Sequence, residues 1–224
     1  MISLRFSTSF AVGLFLSLQV IGQKQPSEKQ INARENIKKL HDGFLLVRLQ
    51  TRSKSLDMIR ERGMEEKAAE IEADIKAKNE EIIQAFQDEY DFSPVYFFNS
   101  QDSKSFKEGR YDQMAIFNAE GKAVGLDLSK GNFLIAEFGN VQADTAKYDG
   151  DYVYVKGDSG VQQEKTYTSS PDLGFGALII MSYEFIQLND PFPSYVRTFD
   201  SIFFLKRKPS KVVKKMNAKL HTFY

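Results

Sequence analysis

The sequence predicts an α+β fold: a mixed β-sheet with one β-α-β crossover, an antiparallel strand region, a long charged helix and a C-terminal amphipathic helix. Three observations carry this. Two short, mostly apolar runs, 44–51 and 93–100, flank a stretch of strong helix formers, the pattern of a strand, a helical crossover and a parallel strand. Between 114 and 199, apolar runs alternate with turns rich in Gly, Asn and Asp, as in antiparallel strands. Residues 209–223 repeat apolar side chains at helical spacing.

In chain order, "MISLRFSTSFAVGLFLSLQVIGQKQ" places Arg5 before an apolar stretch from Phe10 to Ile21. That stretch is short of the roughly 20 apolar residues of a membrane span but suits the apolar region of a secretory signal. Residues 1–22 are therefore expected to be a signal peptide, with the small Val20 and Gly22 permitting cleavage before Gln23. An exported, soluble protein, periplasmic or secreted, is the expectation. Residues 23–43 read as a polar leader and short helix, and 44–224 as a single α+β domain, since no Pro-, Gly- or Ser-rich linker divides it. The chain has no cysteine, which excludes disulfides, a thiolate nucleophile, Cys-ligated metal and a lipidated Cys. Its 19 Phe and 10 Tyr point to an aromatic core.

"INARENIKKLHDG" carries Ile31, Ile37 and Leu40 before Gly43, a short helix with a glycine stop. "FLLVRLQT" reads as a buried strand. From Ser55 to Tyr90 the residues are helix formers, interrupted at Gly63, where one helix ends and another begins. In the second, Met64, Ala68, Ile71, Ile75, Ile82 and Phe86 share a stripe of about 60°, and Glu72–Lys76 and Asp74–Lys78 are favourable i,i+4 pairs on the wet face. At 1.5 Å per residue this helix spans about 40 Å, so its first half projects or pairs with another helix. "SPVYFFNS" is the second parallel strand. "MAIFNAEGKAVGLDL" turns at Glu120–Gly121, "FLIAEFG" and "YVYV" are further strands of an antiparallel region, and 140–174 is a polar excursion or hairpin. "GALIIMSYEFIQL" is the most strand-like segment, with "DPFPSYVRTF" returning beside it.

The stretches "FLLVRLQTRSKS", "FSPVYFFNSQDSKSF", "LNDPFPSYVRTF" and "VVKKMNAKLHTFY" resemble a family of secreted proteins of Bacteroidota-type bacteria over most of the mature chain. That resemblance implies export and carries no activity. A fainter likeness to the thioredoxin arrangement, β-α-β followed by strands and a final helix, lacks the Cys pair that performs thioredoxin chemistry, so redox exchange is excluded.

Catalytic motifs are scarce. There is no G-x-S-x-G, G-x-x-x-x-G-K or G-x-G-x-x-G, and the two histidines, His41 and His221, have no sequence neighbours at metal-ligand spacing. No cofactor and no metal are expected. Asp149, Asp151 and Asp158 in "YDGDYVYVKGDSG" match no calcium loop and read as turn residues. One constellation comes from topology, because ligands favour the carboxyl ends of parallel strands. The two predicted strands run into "TRSKS" and "NSQDSKS", which nominates Arg48, Arg52, Ser53, Lys54, Ser55, Asn99, Ser100 and Asp102 as ligand-binding residues. Ser53 or Ser55 would cap the following helix, whose free N–H groups attract anions, and Arg48, if buried, needs a carboxylate or a ligand.

"LKRKPSKVVKKMNAKL", 205–220, holds seven of the 30 Lys and Arg residues and no acid, in a chain of net charge zero. Pro209–Ser210 opens a helix with Val212, Val213, Met216, Leu220 and Phe223 on one arc and Lys211, Lys214, Lys215 and Lys219 opposite. Such a helix docks on a sheet with its lysines solvated, and those four lysines also suit a weak contact with an anionic surface. Nucleic acid is disfavoured by export and by the neutral charge. Two readings follow: a non-catalytic envelope or secreted protein that binds a protein or envelope partner through the long helix or the 140–174 excursion, and a small-anion binder or hydrolase at the strand ends.

Overall fold

The computed structural model describes residues 25–141, 153–157, 160–164, 175–199 and 205–224, with 153–157 and 160–164 described by backbone alone. Helix α1 (Glu28–Asp42) begins with a capping box: the Ser27 hydroxyl accepts from the Gln30 N–H, and the Gln30 side chain accepts from the Ser27 N–H. It buries Ala33, Ile37 and Leu40, whereas Ile31 is exposed. Gly43 then lets the chain pass close under Asn132, whose carbonyl oxygen would lie 1.8 Å from any Cβ at this position.

Strand β1 (Phe44–Leu49) leads into helices α2 (Ser53–Glu61) and α3 (Glu65–Glu89) and then strand β2 (Val95–Asn99), which pairs parallel with β1 as the crossover predicts. Gly63, at φ 72°, makes the turn between the two helices. A short helix α4 (Ser103–Lys107) and strand β3 (Ile116–Phe117) follow, then β4 (Phe133–Asn140), the hairpin β5 (Val153–Gly157) and β6 (Gly160–Glu164), β7 (Gly176–Met181), β8 (Tyr195–Arg197) and α5 (Pro209–Phe223).

The main sheet runs β3-β2-β1-β4-β7-β8. Strand β4, which the sequence places in an antiparallel region, pairs parallel with β1 on one side and antiparallel with β7 on the other. Chain between α4 and β4 crosses one face of the sheet and delivers β4 beside β1, so the central three strands are all parallel. The alternation of side chains then builds two cores. On one face, Leu45, Val47, Phe97, Leu134 and Ile180 pack against α1, α3 and α5 through Leu40, Phe86, Val212, Met216 and Leu220. Leu46, Phe98, Phe133 and Ile135 on the other face are covered by Phe106 of α4, Ile116 and Leu128.

The first half of α3 pairs with α2 instead of projecting alone, and Leu56 of α2 and Ala68 of α3 are buried. Ile71 and Ile75 are half-buried and Met64 is exposed, so the apolar stripe is fully used only where α3 reaches the sheet, at Ile82 and Phe86. Glu72, which the sequence pairs with Lys76, instead accepts from Arg60 of α2 at 2.5 Å.

Candidate functional site

The carboxyl ends of β1 and β2 lie side by side, with Arg48 opposite Phe98 and Leu49 opposite Asn99. Arg48 belongs to a central strand, not a sheet edge, and its side chain shares a face with Phe44 and Leu46. Directly across in β4 stands Glu137, and the Arg48 guanidinium donates to its carboxylate. The Arg48 Nε–H donates to Ser103 Oγ at 2.8 Å, and that hydroxyl donates in turn to the Ser100 carbonyl at 2.6 Å. Ser100 Oγ accepts from the Thr51 N–H at 2.9 Å and lies 3.0 Å from the Thr51 hydroxyl. Phe185 covers the cluster, its ring 5.6 Å from the Arg48 guanidinium and 5.1 Å from the Lys107 ammonium.

The result is a continuous chain of contacts through residues 137, 48, 103, 100 and 51. Only 22% of the Arg48 side chain and 17% of the Glu137 side chain remain exposed, so the pair is largely withdrawn from solvent. The charge of Arg48 is answered by a carboxylate of the same chain, which leaves it poorly placed to take a second anion.

The other nominated residues stand differently. Arg52 is exposed and occupies the N-cap of α2 in the left-handed region, at φ 50°, with no side-chain cap. This corrects the expected capping by Ser53 or Ser55: Ser53 is already helical, and Ser55 donates its backbone N–H to the Arg52 carbonyl at 2.9 Å. The reason lies just upstream, where Thr51 is held by Ser100 and the Gln50 carbonyl accepts from Asn79 at 2.9 Å, so the chain turns at Arg52. Lys54 and Ser55 are exposed; Asn99 and Asp102 are half-buried. Arg48 and Ser100 thus enter one network, and Arg52, Lys54 and Ser55 face solvent.

Two residues essential to the network, Glu137 and Ser103, escaped the sequence reading. The signal that could have found Glu137 is the lone acid in the apolar run "FLIAEFG", the counterpart of the lone Arg in "FLLVRL".

Both histidines gather around one ring, although sequence gives no hint of it. His41 and His221 each meet Phe92 edge-on, at 5.5 and 5.2 Å between ring centroids, and Tyr224 stacks on His41 at 4.1 Å. His221 Nε2 lies 2.8 Å from Asp91 Oδ1, and Asn217 donates to the same oxygen at 2.7 Å. These contacts hold the Asp91 carboxyl below its ordinary value, the Asn217 hydrogen bond contributing most and His221 next. Burial pushes the neighbouring Tyr90 hydroxyl up.

No group of three or more His, Asp and Glu among the described residues could hold a metal ion. Asp149, Asp151 and Asp158 lie outside the described residues. No described helix is long and apolar enough to cross a membrane. Compared with protein family models, curated proteins and solved structures, the chain finds no match in any of the three.

Proposed function

We propose that the chain is a non-catalytic exported protein that binds a protein partner through the α2–α3 hairpin. The observation that carries this is the hairpin's outer end, where Met58 is 55% and Met64 44% exposed on either side of the Gly63 turn. Over residues 53–78 only Leu56 and Ala68 are buried, so this part of the chain adds little to the domain core. It is nonetheless held in shape: besides Glu72, Arg60 lies 3.8 Å from Asp57 and 3.9 Å from Glu65, joining both helices and the turn. An ordered tip presenting two flexible, polarisable side chains in a charged rim has the composition of a contact surface. The network at the strand ends supports the same reading, since its one largely withdrawn cation, Arg48, is already answered by Glu137. Export rests on the pattern of residues 1–22.

A photo-crosslinking residue at position 58, compared with one at position 122 on the β3 turn, tests this in the source cell. A discrete partner is expected from position 58 alone, lost when Met64→Glu is added. Identical products from both positions would remove the hairpin from the proposal.

A further inference from the structure

Beside the first two turns of α5 lies a cavity of about 250 Å³, lined by Phe199, Leu205, Lys206, Arg207, Lys211 and Lys215. We infer that it is a binding site for a phosphate-type oxyanion, independent of the hairpin. Among the described residues, four of its six lining side chains are cationic and none is acidic. Its volume is below the about 300–1,000 Å³ of cavities for drug-sized organic ligands, which suits a small anion.

The cations are disposed for this purpose in two ways. Arg207 is fixed: its backbone N–H donates to the Thr198 carbonyl at 2.8 Å, its Nη1 donates to the Arg197 carbonyl at 2.9 Å, and its guanidinium lies 4.4 Å above the Phe199 ring. Phe199 itself adopts φ 59°, in the region that favours glycine, and this backbone turn sets the ring beneath the guanidinium. Lys206, Lys211 and Lys215, by contrast, form no ion pair among the described residues, whereas Lys214, which does not line the cavity, pairs with Glu89 at 3.1 Å. Lys211 and Lys215 stand four residues apart on one helix face, an arrangement in which like charges repel. An anion between them relieves that repulsion. The start of α5 adds to the same potential, because Lys208 provides no side-chain cap and the positive end of the helix dipole is at this turn. Multiple lysines with one oriented guanidinium are the donor set that recognises phosphate.

Titration calorimetry of the full chain at low salt, with inorganic pyrophosphate as the probe, tests the site. Saturable binding is expected, weakened by about tenfold or more in Lys211→Gln with Lys215→Gln and by added salt. Lys76→Gln on the hairpin should leave it unchanged. Both substituted lysines are exposed, so unaltered melting of the double variant confirms that its fold is kept. Phosphatidylglycerol vesicles that compete with pyrophosphate would identify a lipid headgroup as the source of the anion, and vesicles that do not compete would identify a free phosphorylated molecule. Absence of pyrophosphate binding, or equal affinity in the double variant, would overturn the inference, as would vesicle binding without pyrophosphate binding.

Discussion

Asp91 shows how a single exposed residue fastens the last helix to the connection between α3 and β2. Its carboxylate takes hydrogen bonds from Asn217 and His221, while the Asn217 side-chain oxygen accepts from the backbone N–H groups of Asp91 and Phe92 at 3.3 and 3.2 Å. Because these contacts lower the carboxyl's pKa in the fold, the stability they contribute is present above the unfolded value, near 3.8, and is lost as pH falls through the folded value. Asp91→Asn should therefore lower the urea midpoint at pH about 6, by an amount that shrinks as pH is taken well below the ordinary carboxyl value. A gap between parent and variant that stays constant over this range would mean that the carboxylate is not responsible. At the same scale, Arg48 and Glu137 were half legible. A lone Arg in an apolar strand announces the need for a partner, but the partner lies 89 residues away, and only the strand order brings it opposite.

At the scale of elements, the sequence was most informative where one physical requirement dominates. The apolar arc of α5 is buried as its spacing demands, with Val212, Val213, Met216 and Leu220 at 0% exposure. Gly63 breaks the helical run, and β1 and β2 are parallel because a helical crossover connects them. Legibility failed where tertiary geometry competes with local preference. Helix α2 takes Arg52 as its N-cap in place of a serine, because contacts from Ser100 and Asn79 fix the preceding residues. The strand expected over 176–188 stops at Met181, and only an isolated bridge from Met181 to Gln187 continues it. Helix α3 divides into a half that serves the core and a half that does not, and this division can be measured. Phe86→Ala, which empties a fully buried position between the helices and Phe97, should cost about 3–5 kcal/mol in chemical denaturation. Ile75→Ala, on the half-buried outer part, should cost well under half of that. Comparable losses would show the hairpin to be as much a part of the core as the sheet-facing half.

For the whole molecule, the central matter is what the strand ends are for. In a sheet with parallel strands this is the usual place for a ligand, and here it is occupied by the protein's own groups. The network from Glu137 to Arg48, Ser103, Ser100 and Thr51 joins β4, β1, α4 and the turns after β1 and β2, parts of the chain that are far apart in sequence. In the proposed reading, outward contact falls to the hairpin tip and to the cationic cavity beside α5. The direct measurement is the unfolding free energy of Arg48→Met, in the parent background and in Glu137→Leu. If the pair is a structural clasp, Arg48→Met alone leaves a withdrawn carboxylate unpaired and should cost about 2 kcal/mol, most of it recovered in the double variant. An Arg48→Met protein as stable as the parent, or more stable, would instead mark Arg48 as a residue kept for a ligand at the expense of the fold, and would contradict the account.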